Sequence, residues 1–218
     1  IMAASGCLLF LFVVGHLVGN LQVFLGPEAI NAYGHFLQSK PALVWAARLG
    51  LLVIVGLHIV SAIRISAENK AARPVAYAGH AAPVAASYAS RTMLMSGLII
   101  AAFIVYHLLH FTVQVEAVNL RGIDFRTLHD AAGRHDVHGM IVKGFSHPAV
   151  AGFYLVAMAL LCLHLSHGLS AMIQSMGWRP CCPALVDRVA RGVALLIFLG
   201  YGSIPIAVLF GLVKEMSN

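Results

Sequence analysis

Long apolar runs dominate the chain, and short polar segments separate them. A helix needs about 20 apolar residues to cross the hydrocarbon core of a bilayer. Backbone groups in lipid must form their hydrogen bonds within the element, which favours helices over open strands. The pattern therefore predicts an all-α fold, an integral membrane bundle of five transmembrane helices in a single domain spanning 1–218, with spans at 2–25, 43–65, 92–115, 149–173 and 193–213.

Composition supports a lipid environment for most of the chain. Hydrophobic residues make up 60% of it and charged residues only 10%, and the mean hydropathy is +0.87. A water-soluble fold of this size cannot hide so much apolar surface. No small-residue cleavage site follows the first apolar run, so we interpret it as a span rather than a removed leader.

Basic residues give the chain a formal net charge of +6, and they lie in the connections between apolar runs. We interpret them as anchors at an anionic membrane surface, because no basic face that could track nucleic-acid phosphates is present. The two sides of the bundle carry seven Lys and Arg residues each. On one side these lie in shorter loops, opposed only by Glu68 and Asp187, so we expect that side and the N-terminus to be cytoplasmic.

Several histidines lie deep in the predicted spans, where no Asp or Glu occurs. A polar group at membrane depth is costly and indicates function by default. The first and second spans carry one histidine each, and the third and fourth carry two each, namely His16, His58, His107 with His110, and His164 with His167.

Depth arranges four of these histidines in two layers. His16, His58, His107 and His164 each lie about 21–23 Å from the start of their helix, at 1.5 Å per residue. Because neighbouring helices run in opposite directions, His16 and His107 fall at one height and His58 and His164 at the other. Two imidazoles per layer, from different helices, are what bis-histidine haem ligation requires.

Other interpretations of these histidines remain open at this point. A lone membrane histidine is more often an interhelical hydrogen-bond partner, and a histidine-lined proton or ion path is a further alternative, although such paths usually contain carboxylates. His110 and His167 share a helix face with His107 and His164 and are alternative ligands, or partners for a haem propionate or a quinone. Small residues beside the histidines would suit a porphyrin face but also close helix packing, namely Gly15, Gly19, Gly56, Ser166 and Gly168.

Longer stretches of the chain resemble the cytochrome b membrane anchor of succinate dehydrogenases and fumarate reductases of the single-chain, five-helix, dihaem class. The resemblance covers nearly the whole chain, and it rests on the order and spacing of several stretches: GHLVGNLQVFLGPEAINAYGHFLQSKP, RLGLLVIVGLHIVSAIRI, NKAARPVAYA, SRTMLMSGLIIAAFIVYHLLHFT, DVHGMIVKGFSHP and FYLVAMALLCLHLSHGLS.

The resemblance implies one haem ligand from each of the first four spans. It places these ligands at His16 and His107 for a distal haem and at His58 and His164 for a proximal haem near the cytoplasmic face. The two haem b groups would be bound non-covalently, since no CxxCH motif is present. Cys162 stands in the fourth span, where some fumarate reductases have a glutamate, so we do not expect a glutamate-based proton path.

The same resemblance implies a role and partners. A flavoprotein subunit would oxidise succinate, an iron–sulfur subunit would pass electrons to this chain, and the chain would deliver them to menaquinone or ubiquinone in a prokaryotic cytoplasmic membrane. Complexes of this family often associate into higher oligomers. The alternatives are the cytochrome b subunit of a hydrogenase or formate dehydrogenase, whose histidine spacing differs, and a transporter, whose usual repeats and broken helices are absent here.

Candidates for the remaining contacts come from the span ends. Arg91 and Arg64 could pair with a haem propionate, because a guanidinium fork suits a carboxylate, or could simply anchor the helices. Quinone candidates are Ser87, Ser90 and Arg91 near the proximal haem, and Asn20, His35 and Gln38 near the distal haem.

We expect His129, His135 and His138 in the longest loop to be solvated. We interpret Cys7 and Cys162 as small core residues, and the adjacent Cys181 and Cys182 have poor geometry for a mutual disulfide.

Overall fold

The structure is a computed structural model that describes residues 1–72, 88–178 and 181–215. In this part of the chain the regular structure is helical, with one isolated bridge between His129 and His135. The α-helices are α1 (Met2–Leu21), α2 (Pro27–Gln38), α3 (Pro41–Ala71), α4 (Tyr88–Arg91), α5 (Met93–His107), α6 (Val137–Phe145), α7 (Pro148–Ser175) and α8 (Pro183–Leu209).

Within the described residues, five helical segments are long and apolar enough to cross a membrane. A 3-10 turn extends α1 to Leu25, and a π-helical turn extends α5 to Thr112. The spans are therefore Met2–Leu25, Pro41–Ala71, Met93–Thr112, Pro148–Ser175 and Pro183–Leu209. This confirms the all-α, five-span fold, and by helix length and hydropathy the chain is a multi-pass membrane protein.

The helices agree most closely with the predicted bounds at the first span and differ most from them at the fifth. Helix α8 begins at Pro183, well before the predicted 193, and ends at Leu209 rather than 213. Arg188 and Arg191, which we placed in the preceding connection, lie on this helix and donate to the carbonyls of Ala184 and Asp187. Hydropathy identifies only the apolar part of a helix. The start of the helix depends on its backbone hydrogen bonds and is favoured at a proline in the first turn.

The second span is also longer than predicted, because α3 continues past 65 to Ala71. Its last turns carry charged side chains, and Arg64 donates to Glu68 over 2.8 Å one turn later. Pairs at this spacing support a helix that extends into water. The helix therefore projects beyond the apolar run that identified it.

The bundle is built around α7. Its most extensive partner is α8, while α5 packs along another side and α1 bridges α3, α7 and α8. One buried apolar cluster includes Phe103, Val150 and Ile204. A second, nearer the start of α8, joins Leu165, Ala194 and Ile197. Many other apolar side chains on the five spans are exposed, as expected where lipid is the solvent.

A cap covers the end of the bundle at which α1 ends and α7 begins, and the apolar pattern did not predict its helices. The cap comprises residues 22–40 and 113–147 and includes α2 and α6, which pack together. Gly34 allows this close approach, because a Cβ there would lie 2.8 Å from Val137. Asn31 of α2 is 1% exposed, accepts from the backbone N–H of His138 and donates to the carboxylate of Asp136.

Ion pairs and hydrogen bonds connect the two segments of the cap. Arg134 bonds both Glu28 of α2 and Asp130, and this hydrogen bonding lowers the pKa of Glu28. His138 is 4% exposed, so our expectation that it is solvated is wrong. Burial lowers the pKa of His138, and it also lowers the pKa of the half-buried His135. His129 is exposed, as expected.

Candidate functional site

Four helices each bring one histidine to the middle of the bundle, where the rings meet in two pairs. The ring centres of His16 and His107 are 5.9 Å apart, with an angle of 81° between ring planes. Those of His58 and His164 are 6.3 Å apart, with an angle of 67°. The structure thus brings together the two pairs that depth predicted from the sequence.

The pairs lie at two different heights. His58 contacts Ser5 and His164 contacts Ser96, near the starts of α1 and α5. His16 and His107 lie eleven residues further along those same helices, which is about 16 Å at the α-helical rise. We call His58 and His164 the inner pair, and His16 and His107 the outer pair, which lies on the side of the cap.

The inner pair is framed by matching residues of α1 and α5. The Oγ atom of Ser5 lies 3.1 Å from Nδ1 of His58, and the Oγ atom of Ser96 lies 3.4 Å from Nδ1 of His164. A glycine follows each serine. A Cβ at Gly6 would lie 3.3 Å from Cε1 of His58, and a Cβ at Gly97 would lie 3.2 Å from Cε1 of His164. These glycines make room for the imidazoles.

The outer pair has aromatic surroundings. His16 stacks on Phe12 at 5.3 Å, and His107 lies near Phe103, with its Nδ1 3.3 Å from the hydroxyl oxygen of Tyr154. Directly after His107 the backbone forms the π-helical turn Leu108–Thr112. Such turns are rare and occur frequently at functional sites.

Asn20, a predicted quinone contact, instead lies against His16. Its amide nitrogen donates to the carbonyl of His16 over 2.7 Å and lies 3.3 Å from both ring nitrogens. The other quinone candidates of this zone, His35 and Gln38, are both on α2, where His35 is exposed. Among the described residues, no hydrogen bond joins Asn20 to either of these two side chains.

The donor set of each pair fits a haem iron better than a bare metal ion. Within the described ranges, no group of three or more His, Cys, Asp or Glu side chains could hold a metal ion. A metal with only two protein ligands must bring its remaining ligands with it, as porphyrin iron does. Two metal–nitrogen bonds of about 2 Å each, with the two rings beyond them, separate ring centres by about 6 Å, which is close to both observed spacings.

The alternative ligands His110 and His167 are placed differently. His110 is 0% exposed and packs against Phe111, and its Nδ1 shares the Tyr154 hydroxyl with His107. Its Nε2 is buried and has no hydrogen-bond partner among the described residues. His167 is half-buried on α7, one turn beyond His164. Neither ring belongs to the two facing pairs.

The predicted propionate and proximal quinone residues lie at the inner end of the bundle. Arg64 is exposed and paired with Glu68, and Arg91 is exposed at the end of the short helix α4. Ser90 is partly buried beside it. Ser87 lies outside the described residues.

Small residues near the histidines serve several purposes. A Cβ added at Gly15 or Gly56 would have no neighbour within 4 Å, whereas a Cβ added at Gly19 would lie 3.0 Å from the ring of Tyr33. Gly168 approaches Met93, and the Ser166 hydroxyl donates to the carbonyl of Leu163. The glycines that contact inner-pair imidazoles, Gly6 and Gly97, were not among those that the sequence suggested.

The sequence interpretation also missed the two serines. The signal was present, because a Ser-Gly pair precedes His16 and His107 by the same eleven residues. All four cysteines are free, including the adjacent Cys181 and Cys182.

Comparison with known proteins adds no relative. No protein-family model, curated protein or solved structure matches this chain. A function for the chain therefore has to be inferred from the residues and geometry described above.

Proposed function

We propose that the chain is the dihaem membrane anchor of a succinate:quinone oxidoreductase. In this role it carries electrons between an iron–sulfur subunit and a membrane quinone through two bis-histidine b-type haems. The observation that carries the proposal is the meeting of four imidazoles, one from each of four spanning helices, in two facing pairs at two heights. The sequence resemblance supplies the succinate and quinone chemistry.

Each layer of histidines would hold one haem. His58 and His164 would hold the haem of the inner layer, and His16 and His107 that of the outer layer. A b-type haem bound in each layer would supply reversible one-electron chemistry. The chain itself would set the potential through axial ligands, burial and hydrogen bonds to those ligands.

The polar partners of the paired rings support an electron carrier more than an ion path. Among the described residues, the hydrogen-bonding side chains beside the paired rings are hydroxyls and one amide, and no carboxylate contacts them. An uncharged surrounding suits haem and offers no charged relay for a transported ion. The quinone contacts and the cytoplasmic position of the N-terminus stay predictions.

A purification of the full chain in mild detergent tests the proposed function. We expect a flavoprotein subunit and an iron–sulfur subunit to accompany it, and we expect succinate to reduce b-type haem in the purified complex. Isolation with the subunits of a hydrogenase or formate dehydrogenase would instead favour that alternative. Haem that succinate does not reduce, in a preparation lacking the flavoprotein, would contradict the assignment.

A further inference from the structure

Helices α1 and α5 repeat one short pattern, a Ser-Gly pair followed eleven residues later by a histidine of the outer pair. Ser5-Gly6 precedes His16 and Ser96-Gly97 precedes His107. Eleven residues are close to three full turns, so the serine and the histidine lie on the same face of their helix. Each of these helices therefore offers a histidine to the outer layer and a serine to the inner layer.

The hydrogen bonds of Ser5 determine which nitrogen of His58 carries the hydrogen. A serine hydroxyl has one hydrogen to donate, and the carbonyl oxygen of Met2 lies 3.0 Å away to accept it. The hydroxyl oxygen is then an acceptor towards Nδ1 of His58 at 3.1 Å. Nδ1 therefore carries the hydrogen, and Nε2 keeps its free lone pair.

Ser96 repeats this arrangement at His164. Its hydroxyl donates to the carbonyl of Met93 over 3.1 Å, and its oxygen lies 3.4 Å from Nδ1 of His164. Both serines are nearly inaccessible, at 5% exposed for Ser5 and 4% for Ser96, so no solvent competes for these contacts.

The outer pair has different hydrogen-bond partners. His16 faces the amide nitrogen of Asn20, which is a donor, and His107 faces the hydroxyl of Tyr154, which also serves His110. The serine contacts are thus specific to the inner layer and are made twice there, by equivalent positions on two helices.

We propose that Ser5 and Ser96 are positioning residues that hold His58 and His164 in the Nδ1–H tautomer and present Nε2 to a haem iron. The part that concerns iron rests on the proposed function, whereas the tautomer does not. A hydrogen bond from the distal ring nitrogen raises the basicity of a metal-bound imidazole. The serines therefore lower the potential of the inner haem, because a more basic ligand stabilises the ferric state.

The direct test is a redox titration of the full purified chain with Ser5→Ala, Ser96→Ala and the double variant. We expect the midpoint potential of one haem to rise, most in the double variant, with the other potential unchanged. Loss of such partners typically weakens metal binding about 10- to 100-fold, so inner-haem occupancy should fall as well. Ser203→Ala is the matched control, since Ser203 makes the same kind of bond to the carbonyl of Gly200. Potentials that match those of the control in all variants, or that shift equally for both haems, would overturn the proposal.

A second measurement needs no serine variant and no haem. Nitrogen-15 NMR of histidine-labelled, haem-free full chain in nanodiscs reads which ring nitrogen carries the hydrogen, with His58 assigned by its loss in His58→Gln. We expect the Nδ1–H form, and a predominant Nε2–H form would refute the positioning role. A wild-type chain that takes up no haem would refute the proposed function, and the NMR result would still decide this inference.

Discussion

The hydroxyl oxygen of Tyr154 lies 3.0 Å from Nδ1 of the fully buried His110. The same oxygen is 3.3 Å from Nδ1 of His107, so one phenol serves two imidazoles. With a single hydrogen, it donates to one ring and accepts from the other. If Nδ1 of His107 is the donor to Tyr154, Nε2 of His107 is free to bind iron, and His110 receives the phenol hydrogen.

Tyr154→Phe should therefore affect the outer layer alone. Removing the hydroxyl leaves two buried ring nitrogens without a partner, which should cost about 1–3 kcal/mol of stability. The outer haem potential should rise, because His107 loses its acceptor, and the inner potential should not move. Denaturant unfolding and a redox titration measure the two effects.

Tyr106→Phe is the matched control for that change. Its hydroxyl donates to the carbonyl of Val118 over 3.0 Å and bonds neither histidine pair. It should lower stability without altering either potential. A shift of the inner potential in Tyr154→Phe, or equal shifts in both tyrosine variants, would contradict our placement of the outer pair.

The choice of His107 over His110 can be tested by haem counting. His110→Ala should keep two haems per chain, since His110 lies outside the facing pairs, and His107→Ala should keep one. His167→Ala should likewise keep two and His164→Ala one. Pyridine haemochrome assays give the counts, and loss of a haem in His110→Ala would reverse the assignment on α5.

Gly97→Ala should disturb the inner layer through crowding. The added methyl would lie 3.2 Å from Cε1 of His164, so the ring must move by a few tenths of an ångström. We expect an altered low-spin signal of one ferric haem in electron paramagnetic resonance. Gly192→Ala on α8, where nothing lies within 4 Å of the added Cβ, should leave both signals unchanged. Identical spectra for the two variants would argue against close contact between α5 and His164.

Acid should loosen the cap, because His138 is buried as the neutral form. Its pKa is lowered in the folded chain by burial, although Asp136 and Glu215 oppose this. The unfolded cap therefore binds the proton more readily, and stability present above the ordinary pKa of 6.5 is lost as the pH falls below it. Hydrogen exchange of the α6 amides, corrected for intrinsic rates, should show faster opening as the pH falls from about 6.5 towards about 5.

Two glutamine variants test whether His138 is the source of that acid effect. His138→Gln should weaken the pH dependence, while His129→Gln, at an exposed position, should preserve it. The half-buried His135 also has a lowered pKa, so some dependence should persist in His138→Gln. Equal pH profiles for wild type and His138→Gln would exclude His138 as a source.

The sequence predicts the spans and the histidine pairing for the same physical reason. Lipid requires long, uncharged helices, and a fixed rise per residue converts sequence position into depth, so His16 and His107 had to share a layer once their helices ran in the same direction. The first span contains no charge, and its helix has the bounds that were predicted for it. Where charged turns continue a helix, as at Glu68 in α3 and Arg188 in α8, hydropathy misses the extension.

The cap and the serines depend on tertiary contacts that hydropathy does not measure. Helices α2 and α6 are short and amphipathic, and Asn31 and His138 become buried only because these helices pack together. Ser5 and Ser96 look like ordinary small residues until α3 and α7 bring imidazoles against them. Their equal spacing to His16 and His107 was visible in the sequence, but its meaning required the neighbouring helices.

The most direct test of the dihaem assignment is the haem content of the purified wild-type chain and of its His16, His58, His107 and His164 alanine variants. We predict two b-type haems per wild-type chain. We also predict that His16→Ala and His107→Ala lose one and the same haem, and that His58→Ala and His164→Ala lose the other. A wild-type chain without haem, or a spectral pairing that joins His16 with His58, would contradict the assignment.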